Sequence, residues 1–502
     1  MKNFVLFLIG SGAAFAAPVI DCAAMAAKNF GADVKIESAK SVAAAANLPA
    51  HCEIRGVIWP EAKFAAKLPV EWNERFQMVG NGGWAGTITV AAVDAAMRLG
   101  YASISTDTGH DAAKEPGAVW AQKSDSNPSA LRKVIDHGYL SVHETALLAK
   151  KMIRTYYGAD AKYSYWVGCS TGGRQGLMEA QRYPEDFDGY VIGAPVLNLS
   201  GLQMKAVYNW IQVGPGPTEI KPEKLPALEA AVYGKCDAQD GLKDGLIESP
   251  LACAFDPAKD LTTCKGAENA SCFTAPQIAA IKKIYDGVRN SKGELLFPGF
   301  PVGGEAFVAG RDGKKTSGWE SNLIGSFNLG DTFFKFMAFD ERPGAKWDYK
   351  TLDVDTAPAK MANTSLIINA TVTDLTAVKA RGAKIVHYHG WADPGVTSRM
   401  SVDYYEAAKR TMGEKETTDF YRFFPVPGMF HCGGGPGCGN ADWLTAVVNW
   451  VEKGVAPEMI VGAHVEAGAT TRTRPICMYP TVAKYKGSGS IDQAENFSCS
   501  AR

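Results

Sequence analysis

The sequence predicts an α/β fold: a mostly parallel sheet covered by helices and interrupted by one large insertion. Three observations carry this. Short apolar runs bounded by turn residues alternate with stretches of helical apolar spacing, the pattern of repeated strand–helix units. The rhythm stops near Gly201 and resumes after Ala370, with four cysteines and many prolines and aromatics between. A Gly-x-Ser-x-Gly segment, Gly168 to Gly172, stands at a strand-to-helix junction.

Composition narrows the function classes. The chain has 502 residues, 46% hydrophobic and 21% charged, which argues against a disordered or collagen-like protein. Lys and Arg number 52 and Asp and Glu 53, a net charge of −1. No basic excess exists to condense on a phosphate backbone, so nucleic acid is not an expected partner. The 52 glycines suit tight turns and close backbone approach to a ligand.

The elements follow in order. Met1-Lys2-Asn3, an apolar run over 4–10 and the A-x-A signal Ala14-Phe15-Ala16 form a secretory leader over residues 1–16. The alternative is a short buried helix at a true N-terminus. The apolar run is too short to span a bilayer, and no other stretch of about eighteen apolar residues occurs. A secreted or periplasmic chain with no membrane partner is expected, starting at Ala17. The first part of the α/β domain spans 17–200, with strands at 76–80, 101–105, 163–167 and 191–193. Helices are predicted at 138–157 and 173–182. The insertion spans 201–370. The second part spans 371–502, with strands at 384–389 and 421–424 and a helix over 443–453. No internal repeat is present, and the sole low-complexity tract is the alanine-rich 43–46.

Secretion makes disulfides available to the eleven cysteines, and an odd count leaves at least one unpaired within the chain. Spacing suggests the local pairs Cys22 with Cys52, Cys236 with Cys253, Cys264 with Cys272, and Cys477 with Cys499. Zinc is a weak competitor, since no C-x-x-C or H-x-x-x-H spacing occurs.

Ser170 sits at the centre of Gly168-Cys169-Ser170-Thr171-Gly172. A serine on a sharp strand-to-helix turn needs a strained backbone, and glycines two residues either side remove Cβ clashes. Its hydroxyl needs a base, and the base an orienting acid, in the order Ser…Asp/Glu…His. His51, His110, His137 and His143 precede Ser170. His387 and His389 lie inside an apolar strand and read as packing or supporting groups. His464 has no glycine-rich loop around it. His431 lies between Pro427-Gly428-Met429-Phe430 and Cys432-Gly433-Gly434-Gly435, a strand-to-helix loop, and is the predicted base. Asp393, just after strand 384–389, is the predicted acid; Asp403 on a probable helix is the rival. The oxyanion needs two N–H donors: Thr171, and Gly83 or its alternative Gly82 in Gly80-Asn81-Gly82-Gly83-Trp84. If Ser170 and His431 touch, Cys169 and Cys432 are close enough to bridge; two buried free thiols are the alternative.

Three segments resemble the tannase and feruloyl esterase family: Gly168-Cys169-Ser170-Thr171-Gly172-Gly173-Arg174, His389-Gly390-Trp391-Ala392-Asp393, and Pro427-Gly428-Met429-Phe430-His431-Cys432. The resemblance covers nearly the whole mature chain. It implies an α/β-hydrolase fold with a large inserted lid, the Cys169–Cys432 bridge and the local pairs above. It also implies cleavage of feruloyl esters, gallate esters or mono(2-hydroxyethyl) terephthalate.

Cys236-Asp237-Ala238-Gln239-Asp240-Gly241-Leu242-Lys243-Asp244-Gly245-Leu246 is a second signal. Three carboxylates and glycine turns suit a hard cation, though the spacing is not that of an EF-hand, and a solvated acidic turn fits equally. The resemblance implies structural calcium, held by side chains of Asp237, Asp240 and Asp244 and by backbone oxygens of Leu242 and Leu246. Of the lid aromatics Trp319, Phe327, Phe333, Phe334, Phe336 and Phe339, most are expected in the core and one or two against an aromatic acyl group. No arginine is clearly placed to hold a terephthalate carboxylate; Lys335 and Arg342 are the candidates. The expected function is hydrolysis of a small aromatic ester through an acyl-enzyme. The rival from another class is a non-catalytic binding relative, which would be expected to lack a triad member.

Overall fold

The structure is a computed structural model and describes residues 16–45, 47–305, 307–309, 315–319 and 326–501. The predicted leader lies outside the described residues except for Ala16, which pairs with Trp72 through two backbone hydrogen bonds.

Nine strands form the central sheet: β1 Val34–Val42, β2 His51–Ile58, β3 Ala62–Pro69, β4 Arg75–Val79, β5 Ala102–Thr106, β6 Tyr163–Cys169, β7 Gly189–Gly193, β8 Lys384–Gly390 and β9 Tyr421–Val426. Their order is β1-β2-β3-β5-β4-β6-β7-β8-β9. From β5 to β9 every pairing is parallel, whereas β1, β2 and β3 are joined antiparallel to each other and to β5. The expectation of a mostly parallel sheet therefore describes six strands and misses three. The first two strands carry polar residues along much of their length, such as Lys35, Glu37, Lys40, Glu53 and Arg55, and so lack the apolar runs by which the buried strands are read.

The parallel strands are covered on both sides, as their alternation requires. Trp166, Ile192 and Ile385 share a core with Val142, Ala146 and Met152 of helix Ser141–Tyr157 and with Leu177 and Met178 of helix Thr171–Arg182. Their chain neighbours Tyr165, Val191 and Val386 face the other way, onto Trp443, Val447 and Trp450 of helix Trp443–Lys453. Catalytic loops of such a sheet emerge at the carboxyl ends of the strands, here Cys169, Gly390 and Val426.

Between β7 and β8 the chain leaves the sheet. Helices Leu199–Val213, Leu225–Cys236 and Ala275–Asp286 dominate this excursion. It builds its own core from Val213, Leu228, Val232, Ile281, Ile284, Phe300 and Trp319. Helix Leu199–Val213 crosses the boundary drawn at residue 200 and leads from one part into the other. The structure contains the disulfides Cys22–Cys52, Cys169–Cys432, Cys236–Cys253, Cys264–Cys272 and Cys477–Cys499. Cys438 is a buried free thiol.

Candidate active site

Strand β6 ends at Cys169, and helix Thr171–Arg182 starts two residues later. Ser170 between them takes φ 63° and ψ −122°, a left-handed conformation that costs a serine about 1–3 kcal/mol. The surroundings hold it there. Its N–H donates to the Gly193 carbonyl at 2.9 Å. Gly168 and Gly172 pack so closely that a Cβ on Gly168 would lie 2.5 Å from the Gly172 backbone. The elbow glycines are thus a steric requirement of the turn.

The glycine-rich loop after β4 is tied to the elbow. The Gly172 N–H donates to the Asn81 carbonyl at 2.7 Å, and Gln175 bonds Asn81 through both ends of its amide. Asn81 Nδ2 donates to the Thr87 and Thr106 carbonyls, each at 2.8 Å. Thr171 Oγ1 donates to the Gly83 carbonyl. Gly82, Gly83, Ser170 and Thr171 consequently line one cleft. The Gly83 N–H takes no partner among the described residues.

His431 and Cys432 line the same cleft, and Cys432 is bonded to Cys169 with a Cα separation of 5.9 Å. His431 Nδ1 meets Asp393 Oδ2 at 2.6 Å. Burial lowers the affinity of His431 for a proton, but the Asp393 charge and hydrogen bond outweigh it, so the imidazole is held above its ordinary value. Asp393 is fully buried. Burial alone would raise its carboxyl, yet His431 and the hydrogen bonds of His389 and His431 hold it well below the usual carboxylate range. Its other oxygen, Oδ1, accepts from the Gly395 and Val396 N–H groups at 2.9 and 2.8 Å. No hydrogen bond links the Ser170 hydroxyl to His431 in this structure; such contacts are often long before substrate binds.

A relay that sequence reasoning noticed only in part stands behind Asp393. His389 Nε2 lies 3.2 Å from Asp393 Oδ2 and 2.8 Å from the Val396 carbonyl. Both are acceptors, so Nε2 carries the proton and Nδ1 accepts from Ser401 Oγ at 2.7 Å. The Ser401 oxygen in turn accepts from His387 Nε2 at 3.0 Å, and His387 Nδ1 accepts from the Tyr421 hydroxyl at 2.7 Å. Burial keeps His387 neutral. The alternation of His387 and His389 along β8 was visible in the sequence; the remote Ser401 and Tyr421 gave no signal. The rival Asp403 is exposed on helix Ser398–Met412 and makes no hydrogen bond to His431.

The cleft has a volume of about 420 Å³. Val196, Leu199, Leu202, Ala206, Leu329 and Val396 give it apolar walls. Its aromatic wall departs from expectation. None of Trp319, Phe327, Phe333, Phe334, Phe336 and Phe339 lines it among the described residues; Phe300 and Trp84 do. Trp319, Phe333 and Phe334 are buried, and Phe327 stacks on Trp210. The two cations considered for a substrate carboxylate are also engaged elsewhere. Lys335 pairs with Asp331 at 2.7 Å, and Arg342 donates to the Ala121 carbonyl. Among the described residues, the basic side chain of lysine or arginine type that lines the cleft is Lys205, which the sequence did not single out.

In the acidic loop, Asp237 accepts from the Asp244 and Gly245 N–H groups, Asp240 from Leu242 and Asp244 from Leu246. The Leu242 and Leu246 carbonyls accept no hydrogen bond among the described residues. Burial, and then the nearby Asp244 and Asp237, raise the Asp240 carboxyl, a crowding of like charge that a hard cation would offset. Glu248 is half-buried beside the same loop, and desolvation first, with Asp240 adding to it, pushes its carboxyl up to about 8. The donors, all oxygen, fit calcium. Two features oppose it, of which the first is that Asp244 Oδ2 is already paired with Arg474 at 2.5 Å. The three carboxylates are also not drawn within 4.8 Å of one another, a spacing that His143, Glu179 and Asp186 do meet.

Comparison with known proteins places this arrangement. The family model "Tannase and feruloyl esterase" matches residues 48–500. The mono(2-hydroxyethyl) terephthalate hydrolase of Piscinibacter sakaiensis is 34% identical, over 93% of this chain and 87% of that one. A probable feruloyl esterase of Arthroderma benhamiae is 35% identical, over 86% of this chain and 81% of that one. The crystal structure of feruloyl esterase B from Aspergillus oryzae superposes with a TM-score of 0.86 at 26% identity, covering 96% of this chain and all of that one. The fold is that of an α/β-hydrolase, and the chain belongs to the tannase and feruloyl esterase family of carboxylic ester hydrolases.

Proposed function

We propose that the protein is a secreted or periplasmic serine esterase that cleaves small aromatic carboxylic esters, feruloyl or galloyl in type, with Ser170 as nucleophile. The observation that carries this reading is the 2.6 Å contact of His431 with a buried, ionised Asp393, in a cleft shared with Ser170 on its strained turn. His431 Nε2 takes the Ser170 proton as Oγ attacks the ester carbonyl carbon. The Thr171 and Gly83 amides receive the negative charge on the carbonyl oxygen. His431 then gives the proton to the leaving alcohol, leaving an ester between Ser170 and the acyl group. Water, deprotonated by His431, attacks that ester; the proton returns to Ser170, and the acid departs. Asp393 stays ionised throughout and holds Nδ1–H toward itself, which presents Nε2 to the serine.

A second reading keeps the same chemistry with mono(2-hydroxyethyl) terephthalate as substrate, favoured by the 34% identity to a hydrolase of that name. The leader-like start and the five disulfides support export. No helix of the described residues is long and apolar enough to cross a membrane. Calcium in the acidic loop would act structurally, Asp237, Asp240 and Asp244 and the Leu242 and Leu246 carbonyls supplying its oxygen ligands.

The test is turnover of methyl ferulate, methyl gallate and mono(2-hydroxyethyl) terephthalate by wild type and by Ser170→Ala. Wild type is expected to hydrolyse at least one. The variant is expected to lose nearly all turnover, and acid quenching of wild type to trap the acyl group on the peptide containing Ser170. Near-wild-type turnover by Ser170→Ala would show that another group attacks.

A further inference from the structure

Lys205 lies on helix Leu199–Val213, whose Leu199, Leu202 and Ala206 form one wall of the catalytic cleft. Lys205 lines that cleft as well, yet only 1% of it is exposed. Its Nζ has no hydrogen-bond partner and no ion pair among the described residues. The amine rests 3.0 Å from the centroid of the Phe300 ring, another cleft residue, and 5.8 Å from that of Phe297. Among the described residues the charge that acts on it is Asp393, whose two oxygens already serve His431, His389 and the Gly395 and Val396 amides.

A buried amine in this state is costly. A lysine nitrogen offers up to three donors, and leaving a buried polar group unpaired carries its full desolvation penalty. The face of Phe300 favours the cation but accepts no ordinary hydrogen bond. Burial accordingly shifts Lys205 strongly toward its neutral form. A lysine that served only to fill space would be better replaced by methionine or leucine. What the amine lacks is an acidic oxygen, and the cleft beside it is where the ester must lie for Ser170 to reach its carbonyl.

We propose that Lys205 is a specificity-determining residue: its Nζ binds an acidic oxygen substituent, carboxylate or phenolic hydroxyl, on the substrate held in the cleft. This rests on the ester hydrolysis proposed above. A carboxylate arrives charged, and the amine takes up a proton from water as the ammonium–carboxylate pair forms. A phenol shares its proton with the amine. Either way a charge-assisted hydrogen bond forms in a water-poor site, and capping the substituent removes it. This amine stands on a helix leading out of the α/β domain, not in the segment around Lys335 and Arg342.

The test uses the full mature chain and two pairs of esters. One pair is monomethyl terephthalate and its neutral amide, methyl 4-carbamoylbenzoate. The other is methyl ferulate and methyl 3,4-dimethoxycinnamate. Wild type is expected to favour the acidic member of at least one pair by tenfold or more in kcat/KM, chiefly through KM. The pair that discriminates tells whether the partner is a carboxylate or a phenol. Lys205→Met is expected to bring that ratio within about twofold of unity, whatever its absolute rates. A wild-type ratio near one in both pairs overturns the proposal, as does a ratio that survives in Lys205→Met. If the variant does not fold, inhibition of wild type decides: terephthalate or ferulate binding no tighter than its capped counterpart also overturns it. Failure of wild type to hydrolyse any of the four esters would instead remove the underlying functional reading.

Discussion

Cys169 and Cys432 are bonded to each other across 263 positions of sequence, and each is the chain neighbour of a proposed catalytic residue, Ser170 or His431. The two segments come from different strands, β6 and β9, which are not adjacent in the sheet. The bond therefore joins the elbow to the loop after β9 directly, where the sheet connects them only through β7 and β8. Cys432 itself takes φ 63°, so the loop is bent into a left-handed turn at the point of attachment.

Replacing both cysteines with alanine is expected to loosen the separation of Ser170 and His431 while keeping the side chains themselves. A misplacement of about 1 Å can cost on the order of a hundredfold in rate, so turnover per folded molecule should fall by about that much. Stability should fall too, since closing a loop of this length is worth about 5 kcal/mol in the chain-entropy model. Peptide mapping without reduction checks the bond; free thiols at 169 and 432, or pairing with Cys438, would remove the clamp.

Ser401→Ala tests the relay behind Asp393. Its hydroxyl is the shared partner of His387 and His389, and without it two buried ring nitrogens lose their bond at about 1–3 kcal/mol. The expected result is a lower melting temperature and a fall in kcat of about tenfold, with KM within about twofold. A change confined to the melting temperature would make the relay structural only.

The base must be neutral to take the serine proton. His431 is held above its ordinary value, so kcat/KM should fall as pH drops through a midpoint above about 6.5. Asp393→Asn removes the charge that raises it and leaves the burial that lowers it. The acid limb should then move to lower pH, while the plateau drops on the order of 10⁴-fold as the tautomer is lost. A pH–rate profile of both proteins checks the sign of the shift.

Much of the proposed machinery was legible because its chemistry is local. Gly168 to Gly172 writes a steric constraint into five residues, and the strand end before Asp393 and the loop around His431 each mark themselves by glycine and proline. Long-range partners left less trace. Ser401 acts by meeting two rings from β8, and Lys205 by being buried beside Phe300, 95 positions away; neither sits in a distinctive local pattern. Of the three antiparallel strands, β1 and β2 were missed because polar residues break up their apolar runs. The aromatic wall was misassigned for a related reason: composition shows that the lid holds many rings, but only packing decides that Phe333 turns into the core and Phe300 toward the cleft.

Calcium gives the prediction for which the choice of variant matters most. Asp244 is paired with Arg474, so Asp244→Ala would unpair a buried arginine and destabilise the protein with or without a metal. Asp240 has no such partner: its carboxyl accepts from the Leu242 N–H and is otherwise crowded by Asp244 and Asp237. Without a cation, Asp240→Asn relieves like-charge repulsion and should raise stability or leave it unchanged. With calcium bound, the same change removes a ligand and should lower stability. Calcium at a hundred times its dissociation constant contributes about 2.7 kcal/mol, a shift of a few degrees in melting temperature. Chelation of wild type should reproduce that loss and added calcium restore it, while Asp240→Asn should be lower and no longer respond to chelator. Turnover at a temperature where both remain folded should change far less, because the loop supplies no group to the cleft. A wild-type protein that purifies without calcium, keeps its melting temperature in chelator and is stabilised by Asp240→Asn would show the loop to be a solvated acidic turn.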